Sequence, residues 1–240
     1  MAQTKIEWTD TTWNPVTGCT PISDGCQNCY ALKMAKRLKA MGCKRYDNGF
    51  QVTLHPDLLG VPLKWRKPRM VFANSMGDIF HEDVSFEFIQ RIFDTMTKAD
   101  RHVFQVLTKR SSRMLELSKK LSIPTNVWMG VTIESGKYSY RADNLRQIKA
   151  QTKFLSIEPM IGPINALNLD GIDWVITGGE SGAKARAIKE SWVLAIRDNC
   201  ITNRVPFFFK QWGGPNKKKT GKLLQGKVWH QYPDYTLQRN

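Results

Sequence analysis

The sequence has no long apolar run and no segment of signal-peptide type. None of its 240 residues lies in a stretch that approaches the about 18 apolar residues of a membrane span, and the first ten, MAQTKIEWTD, lack an apolar core. These absences argue against a membrane partner and predict a cytoplasmic protein. The 41% hydrophobic content suffices for one full-sized core or two small ones, and a single domain is the simplest expectation.

Acidic residues are scarce relative to basic ones. The chain has 21 Asp and Glu against 36 Lys and Arg, a formal net charge of +15. An excess of this size favours a polyanionic partner, and nucleic acid is the first candidate. A solvated basic surface without such a partner would have the same composition, because net charge bears on association and not on fold.

Cysteines are few, and their odd number does not fit a complete set of disulfides. Five are present, and Cys19, Cys26 and Cys29 lie within eleven residues of one another. A reducing cytosol disfavours disulfides, so clustered thiols indicate metal or redox chemistry. Cys43 and Cys200 stand in helical or post-helical contexts, where packing or incidental roles are expected.

Short β-branched, apolar or aromatic segments alternate with longer segments of helical period, which predicts an α/β protein with parallel strands. The predicted strands are 51–54, 70–74, 103–107, 127–133, 153–157, 173–177 and 205–209, with a candidate first strand near 13–17. The predicted helices are 29–41, 85–98 with Ser85 as N-cap, 111–120, 139–150 and 190–203. This pattern fits a (β/α) barrel, complete or partial, over 1–214, with 215–240 as a basic irregular extension.

Six of the predicted strands end on polar or ionisable side chains. These ends are Asn74 to Asp78, Thr108 to Arg110, Thr132 to Glu134, Ser156 to Pro159, Thr177 to Glu180, and Lys210 to Trp212. Active sites in barrels of this kind form at the C-terminal ends of the strands. Helix caps and turns would explain one or two polar ends, and six favour a shared pocket.

The cysteine segment reads as a loop that leads into a helix. Six residues separate Cys19 from Cys26, two separate Cys26 from Cys29, and turn-forming residues stand between them. Three thiolates on one loop can hold an iron–sulfur cluster that leaves one iron open. A zinc site completed by His55 or His81 is the competing interpretation, and the spacing alone does not separate the two.

The cysteine loop, which ends in Cys29-Tyr30-Ala31, resembles that of the radical S-adenosylmethionine superfamily, in the branch that contains spore photoproduct lyase. Four further segments resemble that branch in the same order along the chain: Asn74 to Asp78, Leu107 to Lys109, Val131 to Glu134, and Glu158 to Ile164. The lyase carries a cysteine beside its strand-end serine. Asn74 and Met76 flank Ser75 here, so photoproduct repair is not the predicted reaction.

The whole chain is also similar to a phage-associated family of uncharacterised proteins. The similarity lies in the segments Ser75 to Val84 and Thr177 to Gly182. This second resemblance implies no function. The superfamily resemblance implies a radical enzyme with a [4Fe-4S] cluster and S-adenosylmethionine as cofactors, and an electron donor of flavodoxin or ferredoxin type.

The superfamily resemblance also implies roles for individual residues. Cys19, Cys26 and Cys29 would hold the cluster. The residues assigned to S-adenosylmethionine are Lys109 at the carboxylate, Ser75 and Asp78 at the ammonium, Thr132 or Glu134 at the ribose, and Tyr30 near the adenine. The residues assigned to catalysis are Asp78, Glu158, Glu180 and Lys210, the last three in substrate binding or proton transfer.

Two other classes of function remain open from the sequence. One is a zinc-dependent hydrolase or nuclease. The other is a non-catalytic nucleic-acid-binding protein with a structural metal. The sequence does not indicate the substrate, the oligomeric state, or whether S-adenosylmethionine is consumed.

Overall fold

The computed structural model describes Thr4 and residues 6–234, without the side chains of Lys217 and Lys218. The described residues form nine strands and six α-helices. The strands are β1 Thr11–Trp13, β2 Val16–Thr17, β3 Thr53–Leu54, β4 Met70–Ala73, β5 Val103–Thr108, β6 Val127–Thr132, β7 Thr152–Ile157, β8 Trp174–Gly178 and β9 Phe207–Gln211. The helices are α1 Tyr30–Ala40, α2 Phe86–Lys98, α3 Ser111–Ser118, α4 Tyr140–Arg146, α5 Glu190–Thr202 and α6 Lys217–Thr220.

Seven of the strands form one parallel sheet in the order β1-β4-β5-β6-β7-β8-β9. The two outer strands, β1 and β9, do not pair with each other, so the curled sheet is an open, partial (β/α) barrel. The predicted α/β class and partial barrel are confirmed. The strands stand in the sheet in chain order, and an α-helix lies in each connection between neighbours except that between β7 and β8, where the described chain has no helix.

One predicted barrel strand, 51–54, is not part of this sheet. Only Thr53 and Leu54 are extended there, and they pair antiparallel with Thr17 and Val16 to form a separate two-stranded ribbon. Pro56, which begins a 3₁₀ turn two residues after Leu54, ends the segment too early for a barrel strand. The sheet therefore has seven strands where the sequence predicted about eight.

The two faces of the sheet differ because side chains alternate along each strand. One face packs against the helices in the main core, with Phe104, Val131 and Leu155 among its buried members. The other, concave face carries a second buried cluster that is largely aromatic. This floor consists of Trp8, Met70, Phe72, Val103, Trp128, Phe154, Trp174, Ile176 and Phe208.

The floor covers the half of the concave face that lies toward the N-terminal ends of the strands. Smaller side chains occupy the other half. Continuing each strand in steps of two leads from the floor to Gln105, Gly130, Ser156 and Gly178. A Cβ at Gly130 would lie 2.4 Å from the Phe154 ring. Thr132 on β6 and Lys210 on β9 have the same parity as the floor residues and share the concave face, and Lys109, Glu134, Glu158 and Glu180 lie one or two residues beyond the ends of their strands.

The helices cover the convex face, and α2 illustrates why. Its apolar residues recur at helical spacing and are buried, while Gln90 and Asp94 face solvent. The Ser85 hydroxyl accepts a hydrogen bond from the Phe88 amide at 3.3 Å, which confirms the predicted N-cap. A cap of this kind stabilises a helix by about 1 kcal/mol.

Residues after α6 run along the free edge of β9. The Phe209 amide donates to the Trp229 carbonyl at 2.8 Å, and Phe208 and His230 form an antiparallel bridge. The Tyr232 ring lies 5.1 Å from that of Trp174, between ring centroids. This segment thus covers an edge that would otherwise expose unpaired backbone groups. No helix within the described part of the chain is long and apolar enough to cross a membrane.

Candidate active site at the strand ends

The three clustered cysteines occupy the loop between β2 and α1. Cys26 closes a 3₁₀ turn and Cys29 directly precedes the first residue of α1. All three thiols are free and half-buried. Cys43, also half-buried, packs at the edge of a small cluster beneath α1, and Cys200 is buried in the main core. Cys29 packs against the same small cluster as Cys43, and the separate role of the three clustered cysteines as ligands stays a prediction.

Burial and then the nearby Asp78 carboxylate raise the pKa of the Cys19 thiol to about 12, although Arg110 opposes the shift. The thiols of Cys26 and Cys29 lie near enough to contribute in the same direction as burial. An anionic sulfur at this position therefore needs positive charge beside it. A bound metal centre would supply that charge, since metal coordination deprotonates thiols.

Gly18 fixes the start of the cysteine loop against the end of β4. Its amide donates to the Met76 carbonyl at 2.9 Å, and it forms a parallel bridge with Gly77. Its φ is +86°, and a Cβ there would lie 2.1 Å from the Gln51 carbonyl oxygen. Only glycine fits this position, so the loop enters the mouth of the barrel along one defined path.

The Glu134 carboxylate is the most buried ionisable group of the site and binds three partners. It is fully inaccessible and pairs with Arg141 at 2.8 Å and with Lys109 at 3.2 Å. From the cysteine loop, the Ser23 hydroxyl donates to it at 2.5 Å. A Cβ at Gly25 would lie 2.5 Å from the Glu134 Cγ, so the loop rests directly on the end of β6.

A second carboxylate, Glu180, holds the other side of the cysteine loop. The Asn28 amide donates to it at 2.9 Å, and Arg186 pairs with it at 2.5 Å. Burial alone would raise the pKa of Glu180, but the hydrogen bonds from Arg186 and Asn28 outweigh it and lower that pKa. Arg186 also donates to the Asp24 carbonyl at 2.9 Å, so this network joins β8 to the middle of the loop.

Asp78 and Arg110 lie on the Cys19 side of the loop. Burial raises the pKa of Asp78, although its carboxylate accepts hydrogen bonds from the Thr108 hydroxyl at 2.8 Å and from the Phe80 amide at 2.9 Å. Arg110 donates to the Thr20 carbonyl at 3.1 Å, and its Nη2 lies 3.9 Å from the Cys19 sulfur. Its Nη1 is buried and makes no hydrogen bond with the described residues. An anionic group beside Cys19 would satisfy that nitrogen.

The surroundings of three further residues that the sequence predicted for the site, Ser75, Thr132 and Tyr30, differ from one another. The Ser75 hydroxyl donates to the Asn14 side chain at 3.2 Å. Thr132 is buried at the end of β6, where its carbonyl accepts from Arg141 at 2.7 Å. Tyr30 is 62% exposed at the start of α1.

Glu158 and Lys210 form a separate ion pair at the far end of the sheet. Lys210 Nζ lies 3.0 Å from Glu158 Oε1, and the Trp8 indole donates to Oε2 at 3.3 Å. Both side chains are less than one fifth exposed. A Cβ at Gly178 would lie 2.7 Å from the same carboxylate, so glycine on β8 makes room for it. The pair thus stands directly above the aromatic floor.

The described cysteines and histidines do not form a ready-made zinc site. Within the described residues, no group of three or more His, Cys, Asp or Glu side chains is arranged to hold one metal ion. Thiolates that share one zinc ion lie only about 4 Å apart, as Zn–S bonds of ~2.3 Å in a tetrahedron require. A cluster spreads its cysteine ligands over different irons, so it needs three free thiols around a wider space.

The two histidines named as zinc ligands are already bonded. His55 Nε2 lies 2.8 Å from the Thr17 hydroxyl. His81 Nδ1 accepts from the Asp83 amide at 3.1 Å, so its Nε2 carries the proton and donates to the Thr20 hydroxyl at 2.8 Å. Burial lowers the pKa of both rings, which keeps them neutral. Zinc would have to displace these bonds.

Sequence reasoning missed four polar residues that hold the site together. They are Ser23, Asn28, Arg141 and Arg186. The two arginines carried no motif, and each meets its carboxylate through a helix or loop whose path the sequence does not reveal. A usable signal existed for Arg141 alone, because an arginine in the first turn of a predicted helix beside a buried strand end requires a partner.

A family model matches residues 3–233, nearly the whole chain. The chain belongs to the family described as protein of unknown function (DUF5131). No curated protein matches the DUF5131 chain significantly. Association of the chain with phages stays a prediction.

Solved structures similar to this DUF5131 chain include three of spore photoproduct lyase. A cysteine-to-serine mutant has 13% identity and a TM-score of 0.49 over 75% of this chain. A double mutant with bound AdoMet and dinucleoside spore photoproduct has 10% identity and a TM-score of 0.44 over 78%. A complex with dinucleoside spore photoproduct has 11% identity and a TM-score of 0.43 over 76% of this chain. The chain spans 58%, 59% and 58% of these structures' chains.

Proposed function

We propose that this protein is a radical S-adenosylmethionine enzyme that acts on a nucleic acid or nucleotide. Cys19, Cys26 and Cys29 hold a [4Fe-4S] cluster, which an electron donor of flavodoxin or ferredoxin type reduces. When bound, the cluster and S-adenosylmethionine together supply a one-electron cleavage of the sulfonium. The protein's own part is to bind, orient and shield the cofactor.

The observation that carries the proposal is the placement of the cysteine loop. Three free thiols lie on one segment that two buried carboxylates, Glu134 and Glu180, hold across the strand ends. A loop that served only as a structural metal knuckle would not need contacts with β6 and β8 on both of its sides. This arrangement brings the thiols to the concave face, where barrel enzymes carry out their chemistry.

The residues around the loop suit a zwitterionic cofactor. Lys109 is one fifth exposed and can pair with a carboxylate while it keeps Glu134 as a second partner. The Ser75 hydroxyl retains lone pairs for an ammonium, and the Asp78 carboxylate lies near Cys19. Thr132 or Glu134 then serves the ribose, and the exposed ring of Tyr30 serves the adenine.

The Glu158–Lys210 pair suits the substrate. It lies on β7 and β9, away from the cysteine loop, and both partners are largely but not fully buried. A carboxylate and an ammonium in contact can exchange a proton with a substrate held between the loop and the floor. Glu180 is bound to Arg186 and Asn28. Its main role is therefore to position the cysteine loop, and contact with the substrate is secondary.

The test is metal content after anaerobic reconstitution with iron and sulfide. We expect the wild-type protein to bind iron and sulfide and to gain the visible absorbance of a cluster. Cys26→Ala should lose both while the free energy of unfolding stays nearly unchanged, because the main core does not depend on the loop.

Two cysteine variants outside the loop provide the controls. Cys43→Ala removes a half-buried thiol of the small cluster beneath α1, and Cys200→Ala removes a buried one. Both should retain the full iron and sulfide content. Loss of cluster from the Cys43 variant as well, or stoichiometric zinc in place of iron in the wild type, would overturn the assignment of the three ligands.

A further inference from the structure

Helix α1 carries a strongly basic face that no other part of the site requires. Residues 25–46 contain six lysines and arginines and no acidic residue. Lys33, Lys36, Arg37 and Lys39 are exposed on α1, and we name these four the α1 basic face. None of the four forms an ion pair with any residue that the structure describes, so their charge is available to a partner.

The spacing of these residues gathers their charge on one side of the helix. Lys33, Lys36 and Arg37 stand at positions i, i+3 and i+4, which are neighbours on a helix surface. From Lys33 to Lys39 the face extends about 9 Å along the helix axis, at ~1.5 Å per residue. Like charges placed this close repel one another, and a row of phosphates would relieve that repulsion.

The α1 basic face adjoins the proposed active site. The helix begins directly after Cys29, and the Lys33 amide donates to the Cys29 carbonyl at 3.3 Å. A Cβ at Gly182 would lie 3.6 Å from Lys33 Nζ, so the face also meets the loop after β8. In that loop the exposed Lys184 gives its carbonyl to Asn28 at 2.9 Å, which extends the positive surface to the cysteine loop.

The opposite side of α1 is already occupied by protein. Ala31 and Ala35 are buried, and Met34 and Leu38 pack with them in the small cluster that contains Tyr46 and Met76. A helix that binds a bilayer must insert its apolar face among the lipid chains. Because that face of α1 is covered, the exposed charge suits a soluble polyanion better than a membrane surface.

We propose that the α1 basic face binds the phosphate backbone of a nucleic acid and leads it to the cysteine loop. The inference rests on the proposed function only in taking the bound nucleic acid as the substrate of the site. Phosphate contacts by lysine and arginine position a strand without reading its sequence. The chemistry is shared by single strands and duplexes, and the experiment separates the two.

The test replaces three cations of the face with glutamine: Lys33→Gln, Lys36→Gln and Arg37→Gln in one variant. Each lost phosphate contact makes the plot of log K against log salt shallower by about 0.7 for a single strand and about 0.9 for a duplex. Three contacts therefore lower the slope by about 2 and weaken single-strand binding about 100-fold at ~0.1 M salt. Fluorescence anisotropy of a labelled oligonucleotide, single-stranded and then annealed, measures both quantities.

The matched control removes the same charge from the other end of the molecule. Lys98, Lys119 and Lys120 are exposed at the C-terminal ends of α2 and α3, which lie beside the N-terminal ends of the strands. Changing these three to glutamine also lowers the formal charge from +15 to +12. We expect this control to bind as the wild type does, within about 3-fold. Equal losses in the two variants would show general attraction to a basic protein and would overturn the inference.

Two further arms identify the partner and separate this inference from the proposed function. Wild-type protein that binds neither oligonucleotide, or that binds only phosphatidylserine vesicles, overturns the nucleic-acid assignment. The binding is measured on the 240-residue chain both before and after cluster reconstitution. Protein that takes up no cluster but loses oligonucleotide affinity in the triple variant supports the α1 basic face and contradicts the radical chemistry.

Discussion

The contact between Ser23 and Glu134 should contribute measurably to stability, because it joins the cysteine loop to the most buried carboxylate of the site. The perturbation is a double-mutant cycle of Ser23→Ala and Glu134→Gln. The hydroxyl lies 2.5 Å from a carboxylate that is fully inaccessible. A hydrogen bond to a charged, buried group contributes about 1.5–3 kcal/mol, so Ser23→Ala should lower the free energy of unfolding by about 2 kcal/mol.

Glu134→Gln should be more costly. It removes the charge that compensates Arg141, whose side chain is 1% exposed, and breaking a buried pair in this way costs about 3–5 kcal/mol. Lys109 is one fifth exposed, so water can solvate its ammonium group after the Glu134 charge is removed, and the loss of this ion pair costs less. Once the carboxylate is gone, the Ser23 hydroxyl has little left to stabilise. The double variant should therefore be more stable than the sum of the single effects predicts, by about 2 kcal/mol.

Urea unfolding followed by far-UV circular dichroism measures the four free energies. Ser118→Ala is the control, because its hydroxyl donates to the Leu115 carbonyl at 2.8 Å on α3, away from the loop. Its effect should add to that of Glu134→Gln without coupling. A coupling energy below about 0.5 kcal/mol between Ser23 and Glu134 would refute the view that this carboxylate fixes the cysteine loop.

Two other predictions concern the same loop. Gly18→Ala should destabilise the protein by more than about 2 kcal/mol, because left-handed backbone strain adds to a clash with the Gln51 carbonyl. Gly42→Ala is the control: Gly42 has a φ of +71° and open space around it, so this change should cost only about 1–2 kcal/mol. Equal losses of stability in the two variants would contradict this prediction. Because the pKa of Glu180 is lowered on folding, its contribution is present above the unfolded value of 4.5 and is lost as pH falls through the folded pKa. The difference in melting temperature between wild type and Glu180→Gln should therefore shrink below pH 4.5, and a constant difference would count against the pairing with Arg186.

The barrel strands followed from sequence because their signal is local. Five buried strands, β5 to β9, lie within two residues of their predicted bounds, since each is a compact run of β-branched and aromatic residues between turn signals. The segment 51–54 has a similar composition but only two paired residues, because the sheet leaves it no neighbour. Strand pairing depends on the whole fold and cannot be predicted from a short segment alone.

Helix ends were harder to predict than helix positions. α4 ends at Arg146, whereas the periodic pattern continued to residue 150. Ile148 in that stretch is buried without being helical, so burial at helical spacing did not require a helix. Tertiary packing, which the sequence pattern does not contain, decided where this helix ends.

The candidate site also has residues that could be predicted from local sequence and residues that could not. The cysteines and the strand-end residues were visible because each kind forms a local motif. Glu134 was visible as a strand end, but Ser23 lies 111 residues away from it in sequence and Arg141 lies on the following helix. Contacts of this kind depend on how loops fold back over the sheet, so they could be described only from the structure.

The central claim is that Cys19, Cys26 and Cys29 hold a cluster that activates S-adenosylmethionine. The most direct measurement is the formation of 5′-deoxyadenosine by reconstituted protein under anaerobic conditions with a strong reductant. We predict that wild type and Cys43→Ala form it from S-adenosylmethionine and that Cys26→Ala does not. Protein that carries zinc instead of a cluster and leaves S-adenosylmethionine intact would contradict the account.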